Sequence, residues 1–218
     1  MSSFCNFSSN QFFIGTTFKN DHASDKDSFL SVLDKKNIDK KYITDANQIH
    51  SNIVSFVNKP GTYDNIDGLI TNGDSKLILV IKTADCVPIF LFDKIKNNYG
   101  AIHAGWRGIQ NKIHLNAVDK FLSIGSNIEN INIIIGPSIK PCCYEVGAEM
   151  KKIFNEKFIT AINNKYYLDL IKCIVSDLKV LGIKNININS SCTYDDDRYY
   201  SYRKDKGNGR MYSFITII

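Results

Sequence analysis

Two histidines and one cysteine have side chains suited to binding a catalytic metal ion: His50, Cys86 and His103. Neutral imidazole and thiolate are good zinc ligands, and three protein ligands with an open fourth position are typical of catalytic zinc. The gaps between them, 36 residues from 50 to 86 and 17 residues from 86 to 103, match no compact zinc-finger motif. Spacing alone therefore leaves a metal site as one hypothesis among several.

The segment around His103 has further features of a ligand site. His103 ends an apolar run, and Gly105, the only tryptophan and Arg107 follow before a predicted helix. Strand ends that lead into a helix are where α/β folds place ligands. The N–H groups of a helix start and the charge of Arg107 would suit an anion such as phosphate. A core histidine, with Arg107 paired to a surface carboxylate, fits the local sequence equally well.

Cys86 and His50 have weaker local signals. Cys86 follows a polar turn and begins an apolar run, which places its thiol at a strand start, although a buried structural cysteine is the commoner use. The alternation of Ile49, Ser51 and Ile53 with Gln48, His50 and Asn52 predicts a strand with one polar face. His50 on that face is either a ligand or merely exposed. His22 and His114 are assigned no role.

The elements that would position these residues alternate between strands and helices. Short apolar or β-branched runs predict strands at Lys76–Lys82, Val87–Phe92, Tyr99–His103, Asn132–Ile135, Lys184–Asn189 and Met211–Ile217. Apolar residues at helical spacing predict helices at Arg107–Leu122, Val146–Phe154 and Tyr166–Leu181. The polar segment Ser191–Arg210 is predicted to be a functional loop. This pattern is typical of a mixed α/β sandwich, in a single domain over residues 1–218.

Composition and charge limit the class of protein. Of the 218 residues, 44% are hydrophobic and 22% are charged, which is typical of a globular chain rather than a disordered one. The net charge of +5 is spread along the chain, so no nucleic-acid surface is predicted. The apolar runs are too short to span a membrane, and Met1–Gly15 lacks the pattern of a secretion signal. We therefore expect a cytoplasmic protein whose six cysteines are reduced.

Several segments together resemble one known family. They are Gln48–His50, Asp67–Thr71, Ala84–Pro88, His103–Gly108, Ile135–Ile139, Cys143–Gly147, Tyr200–Arg203 and Gly209-Arg210. They run in family order over most of the chain, and His-Ala-Gly-Trp-Arg-Gly is highly specific. The sequence resembles the YfiH-like family, also called the multicopper polyphenol oxidase or laccase-domain family. Newer names for its members are purine nucleoside phosphorylase and peptidoglycan editing factor.

The resemblance implies a fold, a metal and a set of site residues. The implied fold is a mixed-sheet αβ sandwich of the YfiH-like, cysteine-hydrolase-like type. The implied catalytic residues, which are also the ligands of a Zn²⁺ ion with Cu²⁺ less favoured, are His50, Cys86 and His103. Substrate and phosphate binding is assigned to Arg107, Arg203 and Tyr144.

The activity implied by the resemblance is phosphorolysis of adenosine, inosine, guanosine and methylthioadenosine, with adenosine deamination in addition. The partners are then a small-molecule nucleoside and phosphate, with no nucleic acid and no membrane, and the protein is a monomer or homodimer. Asp85 and Glu145 are candidates for the proton transfer that deamination needs. The chain departs from the family pattern at Ser51, Lys140 and Lys204, which we expect to alter the pocket rim and the substrate preference.

Other functions fit parts of the same pattern. A multicopper laccase needs a histidine-rich trinuclear cluster, which four histidines cannot supply. A single blue-copper centre with an axial Met150 or Met211 stays open. So do a cysteine hydrolase with a Cys86/His103 pair, a role in peptidoglycan editing and a non-catalytic module that binds a partner.

Overall fold

The computed structural model describes residues 4–20 and 24–218, so His22 lies outside the described residues. Within these ranges the strands are β1 (Phe4–Asn6), β2 (Phe12–Thr17), β3 (Ile43–Asn47), β4 (Val54–Phe56), β5 (Gly61–Asp64), β6 (Gly68–Thr71), β7 (Ile78–Thr83), β8 (Val87–Asp93), β9 (Asn98–Ala104), β10 (Ile131–Ile135), β11 (Glu145–Val146), β12 (Ile159–Ile162), β13 (Lys165–Leu168), β14 (Asn185–Ile188) and β15 (Met211–Ile217). The α-helices are α1 (Asp25–Asp34), α2 (Trp106–Gln110), α3 (Ile113–Ser123), α4 (Leu170–Val180) and α5 (Tyr202–Asp205). Short 3-10 turns lie at Lys40–Tyr42, Gly73–Ser75, Ile128–Asn130, Ala148–Lys152 and Glu156–Phe158.

The strands form two large sheets and one small sheet. The first large sheet has the order β1-β2-β15-β7-β3-β5, and the second has the order β14-β10-β8-β9-β6-β4. Both are mixed, since β7 pairs antiparallel with β15 and parallel with β3, while β10 pairs antiparallel with β8 and parallel with β14. The small sheet has the order β11-β13-β12.

Strand β8 shows why the central strands are apolar throughout. Its side chains alternate between two covered faces: Val87, Ile89 and Leu91 pack with the helices, and Phe90 and Phe92 pack with the first sheet. A strand that is covered on both sides buries every side chain, so its sequence shows no polar alternation. This burial explains why such runs are the clearest signals in the sequence.

Apolar side chains fill three interfaces between four layers. Between the two large sheets, Phe12 and Leu79 pack with Phe90 and Tyr99. Helices α2, α3 and α4 cover the outer face of the second sheet. Helix α1 covers the outer face of the first sheet through Phe29. The order helix, sheet, sheet, helix confirms the predicted mixed α/β sandwich.

The six predicted strands are all present, each within two residues of its predicted bounds. The predicted helices are less accurate. Arg107–Leu122 is two helices, because Lys112 has a left-handed backbone with φ of 63° and interrupts the hydrogen bonding. Tyr166–Leu181 begins as strand β13 and becomes helical only after Asp169, which caps α4. Val146–Phe154 is reduced to a 3-10 turn.

No helix within residues 4–20 or 24–218 combines the length and the apolar character that a span requires.

Candidate active site

His103 lies near the end of β9, just before the chain enters α2, and its side chain is buried. Its ring nitrogen Nδ1 lies 2.7 Å from Oδ1 of Asp67. The His103 backbone N–H also donates to the Asp67 carbonyl at 2.7 Å. Because the carboxylate occupies Nδ1, the other ring nitrogen, Nε2, is the one that can act as a metal ligand.

Asp67 holds several parts of this site in place through its hydrogen bonds. Its buried carboxylate accepts hydrogen bonds from the backbone N–H groups of Ile49, His50 and Ser51, and from the Ser51 hydroxyl. Burial opposes ionisation, but the hydrogen bonds from His103 and Ser51 outweigh it and hold the pKa of Asp67 at about 2. One carboxylate therefore fixes both the loop that carries His50 and the ring of His103.

His50 lies on a loop, so the strand predicted over Gln48–Ile53 is wrong. Strand β3 ends at Asn47, and His50 has a left-handed backbone with φ of 61°. Backbone N–H groups of this segment donate to the Asp67 carboxylate instead of to a neighbouring strand. The alternation of residue types is typical of a strand, but the Asp67 side chain takes the hydrogen bonds that a neighbouring strand would otherwise accept.

Cys86 directly precedes β8 and meets the two histidines. The ligand atoms of His50, Cys86 and His103 all lie within 4.8 Å of one another. The two imidazole ring centroids are 4.8 Å apart and the rings are nearly perpendicular. Gly105 makes room for this group, since a Cβ there would lie 2.9 Å from His50 Cδ2 and 3.3 Å from Cys86 Sγ.

The charges at this group favour an ionised thiol. Burial alone would raise the pKa of Cys86, but hydrogen bonds to His103 and His50 outweigh burial and lower it to about 6. Burial alone would lower the pKa of His103, but its bonds to Asp67 and Cys86 outweigh burial and raise it to about 9. In the protein alone, a thiolate beside an imidazolium is therefore favoured at neutral pH.

The donor set fits a zinc ion. Two imidazoles and a thiolate are preferred zinc ligands, and a carboxylate that holds the outer nitrogen of a ligating histidine is a common accompaniment. A blue-copper centre uses the same three donors with an axial methionine. Neither Met150 nor Met211 lines the cavity described below, so the structure offers no such axial ligand among the described lining residues.

A cavity of about 870 Å³ opens above this group. Among its described lining residues, one carboxylate, that of Asp85, faces five cationic side chains, which are Lys82, Arg107, Arg203, Lys206 and Arg210. Apolar and aromatic surface comes from Ile49, Trp106, Tyr144 and Tyr202. The volume suits a small molecule, and the excess of positive charge favours an anionic ligand.

The three residues assigned to substrate by resemblance all line this cavity. The Arg107 guanidinium lies 4.5 Å from the Trp106 ring and forms no ion pair with any carboxylate of the described residues. Arg203 Nη1 donates to the backbone oxygen of Glu145 at 2.6 Å, and its guanidinium lies 5.2 Å from the Tyr144 ring. Since α2 spans only five residues, the attraction for an anion here comes from side chains rather than from a helix start.

The two candidates for proton transfer have other partners. Asp85 accepts a hydrogen bond from the Thr193 hydroxyl at 2.7 Å and another from the Arg203 backbone N–H at 2.6 Å. These bonds make Asp85 a residue that positions the segment carrying Arg203. The Glu145 side chain does not line the cavity and pairs with Lys165 at 2.9 Å.

The departures from the family pattern lie mostly away from the cavity. Ser51 supports Asp67 with its N–H and its hydroxyl. The Lys140 ammonium donates to the backbone oxygen of Asn189, and Lys204 pairs with Asp197 at 2.6 Å. The expectation that the two lysines alter the pocket rim is wrong, because these local partners hold them elsewhere.

Sequence reasoning missed Asp67 and three of the cavity cations. Asp67 belongs to a matching segment, and a signal was present: an acidic residue directly before the apolar strand β6 must find hydrogen-bond donors if it is buried. Lys82 and Lys206 carry no such signal, because isolated basic residues are common in exposed segments. Arg210 belongs to the matching segment Gly209-Arg210, but no role was assigned to it.

The fold and the site define a class of α/β sandwich proteins with a His₂Cys group at the base of a cationic cavity. The sequence profile of the family described as multi-copper polyphenol oxidoreductase laccase matches residues 7–218. The chain belongs to this family.

Curated relatives of this chain carry the name purine nucleoside phosphorylase. One from Clostridium acetobutylicum is 37% identical over 211 residues, which cover 92% of this chain and 87% of the relative. Purine nucleoside phosphorylase YfiH of Escherichia coli (strain K12) is 31% identical over 179 residues, which cover 78% of this chain and 72% of the relative.

Solved structures with the same fold support the architecture. The hypothetical protein YfiH of Bacillus licheniformis matches with a TM-score of 0.86 and 26% identity, over all of both chains. YlmD from Geobacillus stearothermophilus matches with a TM-score of 0.84 and 22% identity over 99% of this chain and 98% of that one, a likeness of fold alone. The profile match and the curated relatives confirm the predicted family, and the solved structures confirm the αβ sandwich.

Proposed function

We propose that this protein is a zinc-dependent purine nucleoside phosphorylase, which converts a purine nucleoside and inorganic phosphate to the free base and a sugar 1-phosphate. The observation that carries the proposal is the convergence of His50, Cys86 and His103 beside a cavity lined by five cationic side chains. Relatives at 37% and 31% identity bear the corresponding name. The substrates we assign are adenosine, inosine, guanosine and methylthioadenosine.

Phosphate binding is assigned to Arg107 and Arg203. A phosphate nucleophile must be held and its charge balanced while the base leaves. Arg107 has no carboxylate partner among the described residues, so its guanidinium is available to bind phosphate in a bidentate way. Arg203 uses one nitrogen to bond the Glu145 carbonyl, which orients the guanidinium and leaves its other donors available.

Purine binding is assigned to the aromatic wall of the cavity, which includes Tyr144 and Trp106. Flat apolar rings favour offset stacking with a purine. Burial raises the pKa of Tyr144 to about 12, so its hydroxyl stays protonated at neutral pH and can donate a hydrogen bond to the base or the sugar.

The metal is assigned to His50, Cys86 and His103, with Asp67 fixing the ring of His103. When bound, zinc supplies a Lewis acid at the base of the cavity. The protein's own contribution is to hold the nucleoside and phosphate together and to keep the cationic side chains aimed at the developing charge.

The experiment that tests this function uses inosine and purified protein, with and without phosphate. We expect hypoxanthine release and ribose 1-phosphate formation only when phosphate is present, and loss of both in Cys86→Ala. Cys173→Ser is the matched control, since Cys173 is a buried thiol of α4 that does not line the cavity. Equal base release by Cys86→Ala and the parent protein would overturn the proposal.

Adenosine deamination is the second part of the proposed activity. Incubation of adenosine without phosphate should release ammonia and form inosine in the parent protein. Cys86→Ala should form neither product. If the parent protein releases no ammonia while phosphorolysis is present, the deaminase part is wrong and the phosphorylase part stands.

A cysteine hydrolase is the second candidate function. It is favoured by one observation, the lowered pKa of Cys86 beside the raised pKa of His103, which is the pairing of a nucleophilic thiolate with an imidazolium. Alkylation by iodoacetamide separates the two functions. A zinc-bound Cys86 is protected until a chelator removes the metal, whereas a nucleophilic Cys86 is labelled at the same rate with and without chelator.

Four further properties of the protein rest on the sequence alone. Cytoplasmic location, a single domain over residues 1–218, the monomeric or homodimeric state and a role in peptidoglycan editing all remain predictions from the sequence.

A further inference from the structure

A second group of metal-ligating side chains lies outside the cavity lining. Its members are Cys142, Cys143 and Cys192, and their sulfur atoms all lie within 4.8 Å of one another. The Sγ atoms of Cys142 and Cys143 are 3.2 Å apart. All three are free thiols, and none of them lines the cavity that contains Cys86. We call this group the three-thiol cluster.

The fold brings these thiols together from two distant segments. Ser138 and Cys192 form a parallel bridge, and the Thr193 N–H donates to the Ser138 carbonyl at 3.2 Å. The turn that follows is closed by the Cys143 N–H, which donates to the Lys140 carbonyl at 3.0 Å. The cluster is therefore built by backbone hydrogen bonds and does not depend on a chance contact of mobile side chains.

Burial of the three thiols is graded. Cys192 is buried, Cys143 is half-buried and Cys142 is exposed. The cluster is thus open to water on one side, which gives an ion an entry path and leaves room for a fourth ligand from solvent. A closed apolar pocket would exclude a charged ion, but this cluster is not closed, because Cys142 is exposed.

Lys140 contacts the cluster through its backbone, and its ammonium lies near two of the thiols. The backbone N–H of Lys140 donates to the Cys192 Sγ at 3.4 Å, and hydrogen bonds of this kind support thiolate ligands in metal sites. The Lys140 ammonium lies close enough to the Cys192 and Cys142 thiols to act on them electrostatically. The ammonium itself donates to the backbone oxygen of Asn189 at 2.9 Å. Burial raises the pKa of Cys142 and of Cys143, so an ion that binds here must displace their protons.

We propose that Cys142, Cys143 and Cys192 bind one thiolate-preferring metal ion, such as Zn²⁺ or Cu⁺, at a site separate from the cavity. Thiolate sulfur selects these ions over harder cations. With Zn–S bonds of about 2.3 Å, sulfur ligands of one ion lie about 4 Å apart. The cluster's separations, from 3.2 Å to at most 4.8 Å, bracket that value.

The site has a structural role toward the cavity. Residue Tyr144, which follows Cys143, lines the cavity, and Thr193, which follows Cys192, donates to Asp85. An ion that joins the two segments would hold both Tyr144 and the Asp85 contact in place. This inference does not depend on the proposed function, since its ligands and its measurements are separate.

The test counts zinc bound per chain, by equilibrium dialysis and elemental analysis under a phosphine reductant, which excludes disulfides. We expect about two ions for the parent protein and about one for each single variant, Cys192→Ser and Cys86→Ala. The double variant Cys86→Ala/Cys192→Ser should bind none. Cys142→Ser changes an exposed thiol, so it is the variant least expected to disturb folding, and it should also bind about one ion. Cys173→Ser is the matched control and should match the parent.

Other counts separate failure of this proposal from failure of the cavity site. If Cys86→Ala binds no zinc, or if Cys192→Ser and Cys142→Ser bind as much as the parent, the three-thiol site is overturned. If Cys192→Ser binds none while Cys86→Ala binds about one, the cavity site fails and the three-thiol site stands. A second readout is the midpoint of thermal unfolding, which zinc should raise in Cys86→Ala but not in the double variant.

Discussion

His103 and His114 are both buried histidines that contact an aspartate, but they differ in what surrounds them. His103 Nδ1 lies 2.7 Å from Asp67, and His114 Nε2 lies 2.9 Å from Asp177. The two sites shift the pKa of their histidine in opposite directions. Burial is outweighed at His103, whose pKa rises to about 9, whereas burial dominates at His114, whose pKa is lowered.

The second ring nitrogen explains the difference. At His103 it is turned toward a group that contains the Cys86 thiol, whose negative form stabilises the imidazolium. At His114 the second nitrogen, Nδ1, is buried with no hydrogen-bond partner among the described residues. Of the two contacts, therefore, only that of His103 presents its outer nitrogen to other candidate metal ligands among the described residues.

The two aspartates differ in burial and in the number of groups that they hold. Asp67 is fully buried and serves the loop of His50 as well as His103. Asp177 is partly exposed and shares its charge with Lys112 at 2.8 Å, close to solvent. The first pair supports a functional site, and the second ties α4 to α3.

The largest expected effect separates the two histidines directly. His103→Gln removes one of the three assigned zinc ligands, so kcat/KM for inosine phosphorolysis should fall by more than about 100-fold, beyond the usual effect of losing an outer partner. His114→Gln should change kcat/KM less than about threefold, because the residue touches nothing in the cavity. Steady-state kinetics at saturating phosphate measures both, and comparable losses in the two variants would break the comparison.

The aspartates give the next largest contrast. Asp67→Asn replaces an acceptor of several hydrogen bonds by a group that is half donor, and zinc affinity or kcat/KM should fall about 10-fold to 100-fold. Asp177→Asn should lower the free energy of unfolding by about 1 kcal/mol and leave kcat/KM unchanged. Zinc titration and urea unfolding of both variants decide the matter; an unchanged zinc affinity in Asp67→Asn contradicts the role given to Asp67.

A smaller effect is expected from filling the space at Gly105. Gly105→Ala puts a methyl group 2.9 Å from His50 Cδ2 and 3.3 Å from Cys86 Sγ, so the ligands must shift by a few tenths of an ångström. We expect kcat/KM to fall about tenfold. Gly125→Ala is the control, because Gly125 has φ of 91° and open space around it, so that change should cost about 1 kcal/mol of stability without affecting kcat/KM. Equal kinetics for the two variants would show that the site tolerates the methyl group.

The smallest effect concerns pH. The lowered pKa of His114 means that the unfolded chain binds the proton more tightly than the folded protein does. Stability from this residue is therefore present above a pH of about 6.5 and is lost as the pH falls below it. Urea unfolding between neutral and mildly acidic pH should show a shallower decline in His114→Gln than in the parent; a steeper decline in the variant would reverse the assigned sign.

The sequence predicts the buried strands well and the site loop poorly. Val87–Phe92 is covered on both faces, and its continuous apolar character needs no tertiary information. Gln48–Ile53 alternates like a strand, but the backbone N–H groups of His50 and Ser51 donate to the Asp67 carboxylate, a partner that no local pattern predicts. Lys112 breaks a helix whose apolar spacing runs unbroken through it.

The three assigned ligands illustrate the same limit. Taken alone, the sequence favours an exposed His50, which the structure confirms, and a buried structural thiol at Cys86, which is only half-buried. Only the family resemblance joins these two residues to His103. The contact among them depends on Asp67 and on the space at Gly105, and both are tertiary facts. Part of the cationic lining of the cavity, Lys82 and Lys206, likewise comes from positions outside any recognised motif.

The most direct measurement is anomalous diffraction at the zinc absorption edge from crystals of the parent protein grown with zinc. We predict a peak at bonding distance, about 2.0–2.3 Å, from one nitrogen of each imidazole and from the Cys86 sulfur. Such a peak would place His50, Cys86 and His103 on one ion. Crystals with full zinc occupancy elsewhere but no anomalous density between these three side chains would contradict the account.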